Sequence, residues 1–330
     1  MTPVPTLLDR AQRPVRSLRL SVIDRCNLRC EYCMPADGLK FARTAELLTF
    51  DDILFTLGVA TELGIHRVRV TGGEPLLRPD LPGLIAKIRG ETAVTDLSLT
   101  TNALLLHRHA RALRDAGLTR VNISLDSLRP DRFSSVTRNG HLRDVWRGIE
   151  AAAEAGLGPL RINAVVLNGF NDDEVEEWLA LTRTRDITVR FLELMPIGEG
   201  ASLGRLGRFA NLTALRAGLV ERHGLVPATD ASGNGPAKYW RAPGAPGRLG
   251  FITPLSEKYC RDCTRFRLTS TGEVRPCLAF DVQVALRDAI RARDARAVRD
   301  GFVEAARIKP DGHHWDVDQV THTGMSRLGG

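Results

Sequence analysis

Short apolar runs alternate with longer amphipathic stretches along residues 17–196. The runs "SLRLSVI" (17–23), "RVRVTGG" (67–73), "DLSLTTN" (96–102), "RVNISLDS" (120–127), "LRINAVVL" (160–167) and "TVRFLELMP" (188–196) are rich in Val, Ile, Leu or Thr. Such runs predict strands. Between them, about 50–63, 79–89, 104–116, 141–155 and 172–184 carry helical spacing. Thr49 with Asp52 three positions on marks a helix start, although Asp is a weaker capping-box partner than Glu or Gln. Gly64, Gly117 and Gly156 fall just past three of the helices, where a left-handed residue closes the last turn. The strand-to-strand distances suit βα units with parallel strands. Six units are too few for a closed eight-stranded barrel, so the pattern predicts an α/β fold, an incomplete (βα)6 TIM-type barrel opened laterally.

The pattern changes near residue 197. Residues 197–208 and 227–247 are rich in Gly, Pro and small residues and read as loops around a short helix near 210–223. No further βα unit is expected. "STGE" looks like a hairpin turn, helices are expected at 281–291 and 294–307, and the tail ends "THTGMSRLGG". The expected organisation is therefore a partial barrel over 1–196 and a C-terminal region over 197–330 that covers the barrel opening.

Composition narrows the class. At 43% hydrophobic and 26% charged, the chain is neither disordered nor membrane-like, and no run approaches the roughly 20 apolar residues of a spanning helix. The N-terminus shows no signal peptide, so a cytoplasmic location is expected. The net charge of +7, from 46 basic and 39 acidic residues, favours a phosphate-rich partner. No block of like charges appears, which favours a discrete anion pocket over a nucleic-acid track; no nucleic acid and no membrane are expected as partners.

Six cysteines form two separated triplets, Cys26, Cys30 and Cys33 near the start and Cys260, Cys263 and Cys277 near the end. In a cytoplasmic chain of this size they read as two metal sites rather than disulfides. The first triplet follows the first strand, "TGGEP" ends the second, "TTN" the third, "SLDS" the fourth and "MP" the sixth. In parallel α/β architectures ligands bind at that end of the strands. A structural zinc site wants four ligands. Three thiolates leave one iron of an Fe–S cluster free for a small molecule. Zinc with a remote fourth ligand stays open on the first triplet alone. The two glycines of "TGGEP" permit close backbone approach, and Glu74 can accept from an ammonium. The second triplet encloses "TRFR", which places Arg265 and Arg267 beside Cys263; such arginines clamp phosphates, although an isolated R-x-R is usually a solvated strand.

C-x3-C-x2-C with Tyr32 before its third cysteine resembles the signature of the radical S-adenosylmethionine enzymes. "LRLSVIDRCNLRCEYCMP", "VRVTGGEPLLR", "LTTNALLL", "VNISLDSL", "RFLELMPIGEG", "CRDCTRFRL" and the final Gly-Gly are together similar to one family among them. That family is the MoaA-type GTP 3′,8-cyclases of molybdenum cofactor biosynthesis, and the similarity runs from about residue 13 to 330. The resemblance implies two [4Fe–4S] clusters, on Cys26, Cys30 and Cys33 and on Cys260, Cys263 and Cys277. It implies S-adenosylmethionine on the first cluster, cleaved by one electron to a 5′-deoxyadenosyl radical that takes hydrogen from C3′ of GTP. The ribose radical would then attack C8, with the guanine held at the second cluster.

By the same resemblance Tyr32, Gly73, Glu74, Ser124 and Met195 contact S-adenosylmethionine. Arg19, Arg69, Thr100, Arg161, Arg265, Phe266 and Arg267 contact GTP, and Arg190 lines the phosphate region. Arg265, Arg267, Gly329 and Gly330 are the expected catalytic set, with the tail inserting into the active site. An external electron donor and a downstream pyranopterin monophosphate synthase (MoaC-type) are the implied partners of a monomer or homodimer. Independently of the family, Arg19, Arg69, Arg161 and Arg190 lie on strands, where a triphosphate would repay several cations on one wall. One or two of them are expected to be ordinary paired arginines.

Arg161 stands where the family often has Lys. Ala103 replaces the family's usual Gly in "TTNG", which asks the backbone there to avoid a glycine-only conformation. The eight histidines show no metal-ligand spacing; His313 and His314 read as solvated. Two other classes remain on the sequence: a radical enzyme acting on a peptide or another small molecule, and a zinc-containing nucleic-acid binder. The R-x-R and the Gly-Gly end argue against the former.

Overall fold

The computed structural model describes residues 6–229, 235–315 and 320–329. Strands β1 (Ser17–Ser21), β2 (Arg67–Thr71), β3 (Asp96–Thr101), β4 (Arg120–Ser124), β5 (Leu160–Val166) and β6 (Ile187–Glu193) form where the short apolar runs place them. They are followed by β7 (Val226–Pro227), β8 (Lys238–Arg241), β9 (Arg248–Ile252), β10 (Arg265–Leu268), β11 (Glu273–Arg275) and β12 (Val284–Ala285). All join one sheet, ordered β12-β11-β10-β1-β2-β3-β4-β5-β6-β9-β8-β7. From β10 through β9 every neighbouring pair is parallel. Among the described residues the two ends of that order do not pair, so the barrel stays open.

The C-terminal region, in which no further βα unit is expected, nevertheless contributes parallel strands to the barrel sheet. β9 pairs parallel with β6, and β10 pairs parallel with β1, so the C-terminal region adds a strand to each edge. The physical reason is the burial of Leu249, Phe251, Phe266 and Leu268, all at 1% exposure or less. Their period-2 signal is short and sits among glycines and prolines, which hides it in a local reading.

The helices are α1 (Phe50–Glu62), α2 (Leu81–Glu91), α3 (Leu106–Asp115), α4 (Pro130–Thr137), α5 (Leu142–Glu154), α6 (Val175–Thr184), α7 (Glu199–Arg205), α8 (Leu212–His223), α9 (Arg287–Arg291), α10 (Ala295–Arg307) and α11 (Met325–Leu328). Three of them lie outside the expected helical stretches: α4, which starts with proline in the first turn, α7, inside an expected loop, and α11, in the tail. The helix expected over 281–291 is strand β12 followed by α9. The α1 capping box is formed in full: Asp52 N donates to Thr49 Oγ1 at 3.1 Å, and Thr49 N to Asp52 Oδ2 at 2.9 Å. Gly64 closes α1 at φ 87°.

Ala103 corrects a second expectation. Its backbone adopts the left-handed conformation, φ 64°, in place of avoiding it, and its side chain is fully buried. A left-handed alanine costs about 1–2 kcal/mol. The neighbour that accommodates it is Gly148 on α5, where a Cβ would overlap the Ala103 carbonyl. A glycine is thus required one helix away from where the family usually has one.

Candidate active site

Alternation along the parallel strands sorts each into a core face and a cavity face. Leu18, Leu20, Val70, Leu97, Leu99, Ile162, Val189, Phe191 and Leu268 are buried in the core. Arg19, Arg69, Ser98, Thr100, Arg161, Asn163, Arg190, Arg265 and Arg267 line a cavity of about 540 Å³. A second cavity of about 120 Å³ holds Cys26, Cys30 and Cys33 with Gly73. Tyr32, Thr100, Ser124, Asp126 and Met325 line both, so the two spaces adjoin. The second triplet borders the larger cavity through its chain neighbours Tyr259, Thr264 and Leu278.

The sheet register creates an unusual row. Arg267 pairs with Arg19, and Arg19 with Arg69, so three arginines stand side by side across β10, β1 and β2. Like charges directly opposite are destabilising. Among the described residues no carboxylate lies within ion-pair reach of Arg19 or Arg69. Burial first, then Arg265, pushes the Arg19 guanidinium down to about 10, and burial with Arg19 and Arg190 depresses Arg69 further. Arg190 is held near 10 by burial while donating to Asn122 Oδ1 at 2.7 Å. The carboxylates that share the cavity are engaged elsewhere. Asp96 pairs with Arg120 at 2.5 Å, Asp126 accepts from Tyr32 Oη at 2.7 Å, and Glu193 accepts from the Leu255 and Ser256 amides at 2.7 and 3.1 Å.

The first cysteine loop lies between β1 and the glycine turn after β2. Gly73 N donates to Ile23 O and Glu74 N to Arg25 O, both at 2.8 Å. A Cβ on Gly73 would overlap the Arg25 carbonyl, so this glycine is needed for backbone approach. Glu74 lies deeper than the cavity wall, where its carboxylate accepts from three protein donors: Leu76 N at 2.9 Å, Thr101 Oγ1 at 2.8 Å and Asn102 N at 2.8 Å. Burial raises its carboxyl to about 7. Asn102 in turn donates to Asn27 Oδ1 at 2.8 Å and reaches Cys26 Sγ at 3.9 Å. Glu74 therefore organises the wall behind the first triplet. Glu74→Gln would set an NH2 against one of these donors, so the melting curve should show a loss of about 1–3 kcal/mol despite the near-isosteric change.

All six cysteines are free thiols. Burial pushes Cys26 up to about 11 and Cys33 up to about 12, so these thiols ionise readily only when a cation meets them. At the second triplet burial would raise Cys263 likewise, but Lys309 and Arg265 outweigh it and bring it to about 6. Among the described residues no three His, Cys, Asp or Glu side chains are grouped as a single-ion site. In a [4Fe–4S] cluster each thiolate binds a different iron, so the sulfurs need not converge on one point. The donor sets fit Fe–S clusters.

The tail lies against both cavities. Met325 lines both cavities, and Ser326 the smaller. Arg267 Nη1 donates to Leu328 O at 2.9 Å and also to Gly329 O. Gly329, at φ 73°, packs so tightly that a Cβ would overlap the Thr71 methyl. Gly330 lies outside the described residues.

The structure thus places on the two cavities all the residues expected to contact S-adenosylmethionine or GTP except two. Glu74 sits in the wall, and Phe266 points to the opposite face of β10 from Arg265 and Arg267, fully buried in the core. His313 is buried as well, Nε2 lying 2.9 Å from Pro254 O, in place of being solvated. The sequence motifs pass over Arg67, Asn163, Tyr239 and Tyr259, which also line the larger cavity. Arg67 shares the phase of Arg69 in "RVRV" and was legible; the others carry no local motif.

An open parallel barrel with a three-cysteine loop after its first strand and a glycine turn after its second defines a radical S-adenosylmethionine protein. The Radical SAM superfamily matches residues 20–182, and Molybdenum Cofactor Synthesis C matches residues 187–315. The chain is 43% identical over 325 residues to the GTP 3′,8-cyclase of Petrotoga mobilis, covering 98% of this chain and 100% of that protein. It is 46% identical over 313 residues to the one from Heliobacterium modesticaldum, covering 93% and 94%. The chain belongs to the GTP 3′,8-cyclase family. Its fold is also that of Streptococcus suis SuiB bound to S-adenosylmethionine, at a TM-score of 0.55 and 15% identity over 97% of this chain and 77% of that one.

Proposed function

We propose that the larger cavity binds GTP, with its triphosphate along the Arg267–Arg19–Arg69 row and its guanine toward the second cysteine triplet. The chain converts GTP to (8S)-3′,8-cyclo-7,8-dihydroguanosine 5′-triphosphate, the first step of molybdenum cofactor biosynthesis. The observation that carries this reading is the row itself: three guanidinium groups across adjacent strands, with no carboxylate among the described residues at Arg19 or Arg69. A polyanion relieves that repulsion and offers each guanidinium a charge-assisted bond. The cavity's volume lies in the range of small-molecule sites.

Two [4Fe–4S] clusters, on Cys26, Cys30 and Cys33 and on Cys260, Cys263 and Cys277, together with S-adenosylmethionine, supply the radical chemistry when bound. The chain's residues do the rest. Gly73, at the first triplet, and Ser124, on the wall shared by both cavities, are the contacts we assign to S-adenosylmethionine, with Tyr32 fixed by Asp126. Met195 and Thr100 line the larger cavity beside them, Met195 on the cofactor side and Thr100 on the substrate side of the assignment. Arg161, Arg190 and Arg265 complete the cationic wall around GTP. The tail through Gly329 excludes water from the mouth and sets Arg267. Phe266 serves by packing β10 against the core, so that its two neighbours face the substrate.

The same reading takes residues 1–196 as the barrel unit and 197–330 as the region that carries the second cluster. It includes an external electron donor, a downstream pyranopterin monophosphate synthase that consumes the product, and a cytoplasmic monomer or homodimer. Among the described residues no helix is long and apolar enough to cross a membrane.

Titration calorimetry with GTP, GDP and guanosine tests the row. Affinity is expected to fall by roughly tenfold or more for each anchored phosphate removed, at about 1.5–3 kcal/mol per charge-assisted bond. Equal affinity for guanosine and GTP would contradict the assignment.

A further inference from the structure

Lys309 follows α10 and is 3% exposed. Its ammonium has three protons and three acceptors in reach: Cys263 Sγ at 3.7 Å, Arg265 O at 2.9 Å and Pro276 O at 2.7 Å. The Phe266 ring lies 5.4 Å from the same nitrogen. Among the described residues no carboxylate pairs with it. A buried ammonium satisfied only by carbonyls and a thiol is costly unless an anion meets it. The acceptors also have a pattern. Arg265 stands two residues after Cys263, and Pro276 immediately before Cys277, so one ammonium ties together the segment that leads from Cys263 into β10 and the one that leads from β11 to Cys277.

A second buried cation reaches the remaining cysteine from the other end of the chain. Arg13, 6% exposed and paired with Asp9 at 2.7 Å, donates to Cys260 O and Asp311 O, both at 2.8 Å, and to Pro310 O at 2.7 Å. Those last two carbonyls follow Lys309 directly. The segment 309–311 is therefore pinned by Arg13 while its lysine is directed at Cys263.

We propose that Lys309 is a positioning residue for the second Fe–S cluster. It holds the Cys263 and Cys277 segments at the spacing the cluster needs and supplies a fixed positive charge against that anionic group. The inference rests on the reading that the second triplet holds a cluster. Hydrogen bonds and charge near the sulfurs are among the features that set a cluster's potential. Removing a nearby cation makes it harder to add an electron, so the potential should move negative.

The test uses the full chain with Cys26, Cys30 and Cys33 changed to alanine, so that only the second triplet loads iron. About four irons are expected per chain. In that background Lys309→Met should lose the cluster to a chelator about 10- to 100-fold faster, the usual effect of removing an outer-shell partner. Its midpoint potential, from a redox titration followed by electron paramagnetic resonance, should move negative. Lys309→Arg keeps the charge and should return the potential toward that of the parent. Unchanged loss rate and potential in K309M would overturn the proposal, and so would K309R behaving like K309M in both. Circular dichroism of the metal-free chain controls for folding. If K309M fails that control, Lys309→Gln takes its place in the same assays, where faster loss with a negative shift supports the proposal and parent-like behaviour overturns it. A parent that loads no iron overturns the two-cluster reading itself, whereas a loaded parent with indifferent variants overturns only the role of Lys309.

Discussion

Arg69→Met should give a substrate-free protein that is more stable and a binding site that is weaker. Arg69 stands beside Arg19 in the cross-strand row, with no carboxylate among the described residues to offset either. Burial and its cationic neighbours already depress its guanidinium well below the ordinary value. Methionine keeps much of the stem and removes the repulsion. Replacing buried charge by packed apolar groups commonly stabilises by about 1–4 kcal/mol, and the lower end is expected here because Arg69 is only half-buried. The affinity for GTP should fall about 10- to 100-fold, as one charge-assisted contact is lost. Melting without ligand and calorimetry with GTP measure the two halves separately. A melting point that drops while GTP affinity holds would make Arg69 a structural residue.

The second large effect is expected at the tail. Gly329→Ala adds a methyl where the Thr71 methyl already stands, on a backbone at φ 73°. Overpacking of this kind costs about 1–3 kcal/mol, and the left-handed side of the map about 1–2 kcal/mol more for alanine. The short segment cannot relax without releasing the Leu328 carbonyl from Arg267. Misplacing a positioned group by about 1 Å can cost about 100-fold in rate. Turnover of GTP should therefore drop about 100-fold, while iron content and the response of the first cluster to S-adenosylmethionine stay as in the parent. Thr71→Ser removes the obstructing methyl and should recover part of the loss in the double variant. Full turnover in Gly329→Ala alone would show that the tail does not need to dock.

Particular residues show how far the sequence reaches. The inward arginines were legible because strand alternation fixes their phase: in runs such as "SLRL" (17–20) and "RVRV" (67–70), the charged positions share one face. The same rule puts Phe266 out of phase with Arg265 and Arg267, and the structure follows the rule in place of the family resemblance that grouped the three. The row itself was not legible. That Arg267 lies beside Arg19 is a fact of register between strands almost at opposite ends of the chain, and no local pattern encodes it. Ala103 departs from expectation for a related reason: its left-handed backbone is accommodated by Gly148 on α5, distant in sequence. Lys309 carries no motif, and its meaning comes only from the three acceptors that the fold collects around it.

The proposed reading joins a radical-generating triplet and a GTP-holding one in a single chain and makes each depend on the other. Anaerobic reconstitution followed by incubation with GTP, S-adenosylmethionine and reductant tests that union, with iron counted and 5′-deoxyadenosine measured. About eight irons per chain, and 5′-deoxyadenosine formed only when GTP is present, are expected. About four irons per chain, or 5′-deoxyadenosine formed equally without GTP, would contradict it.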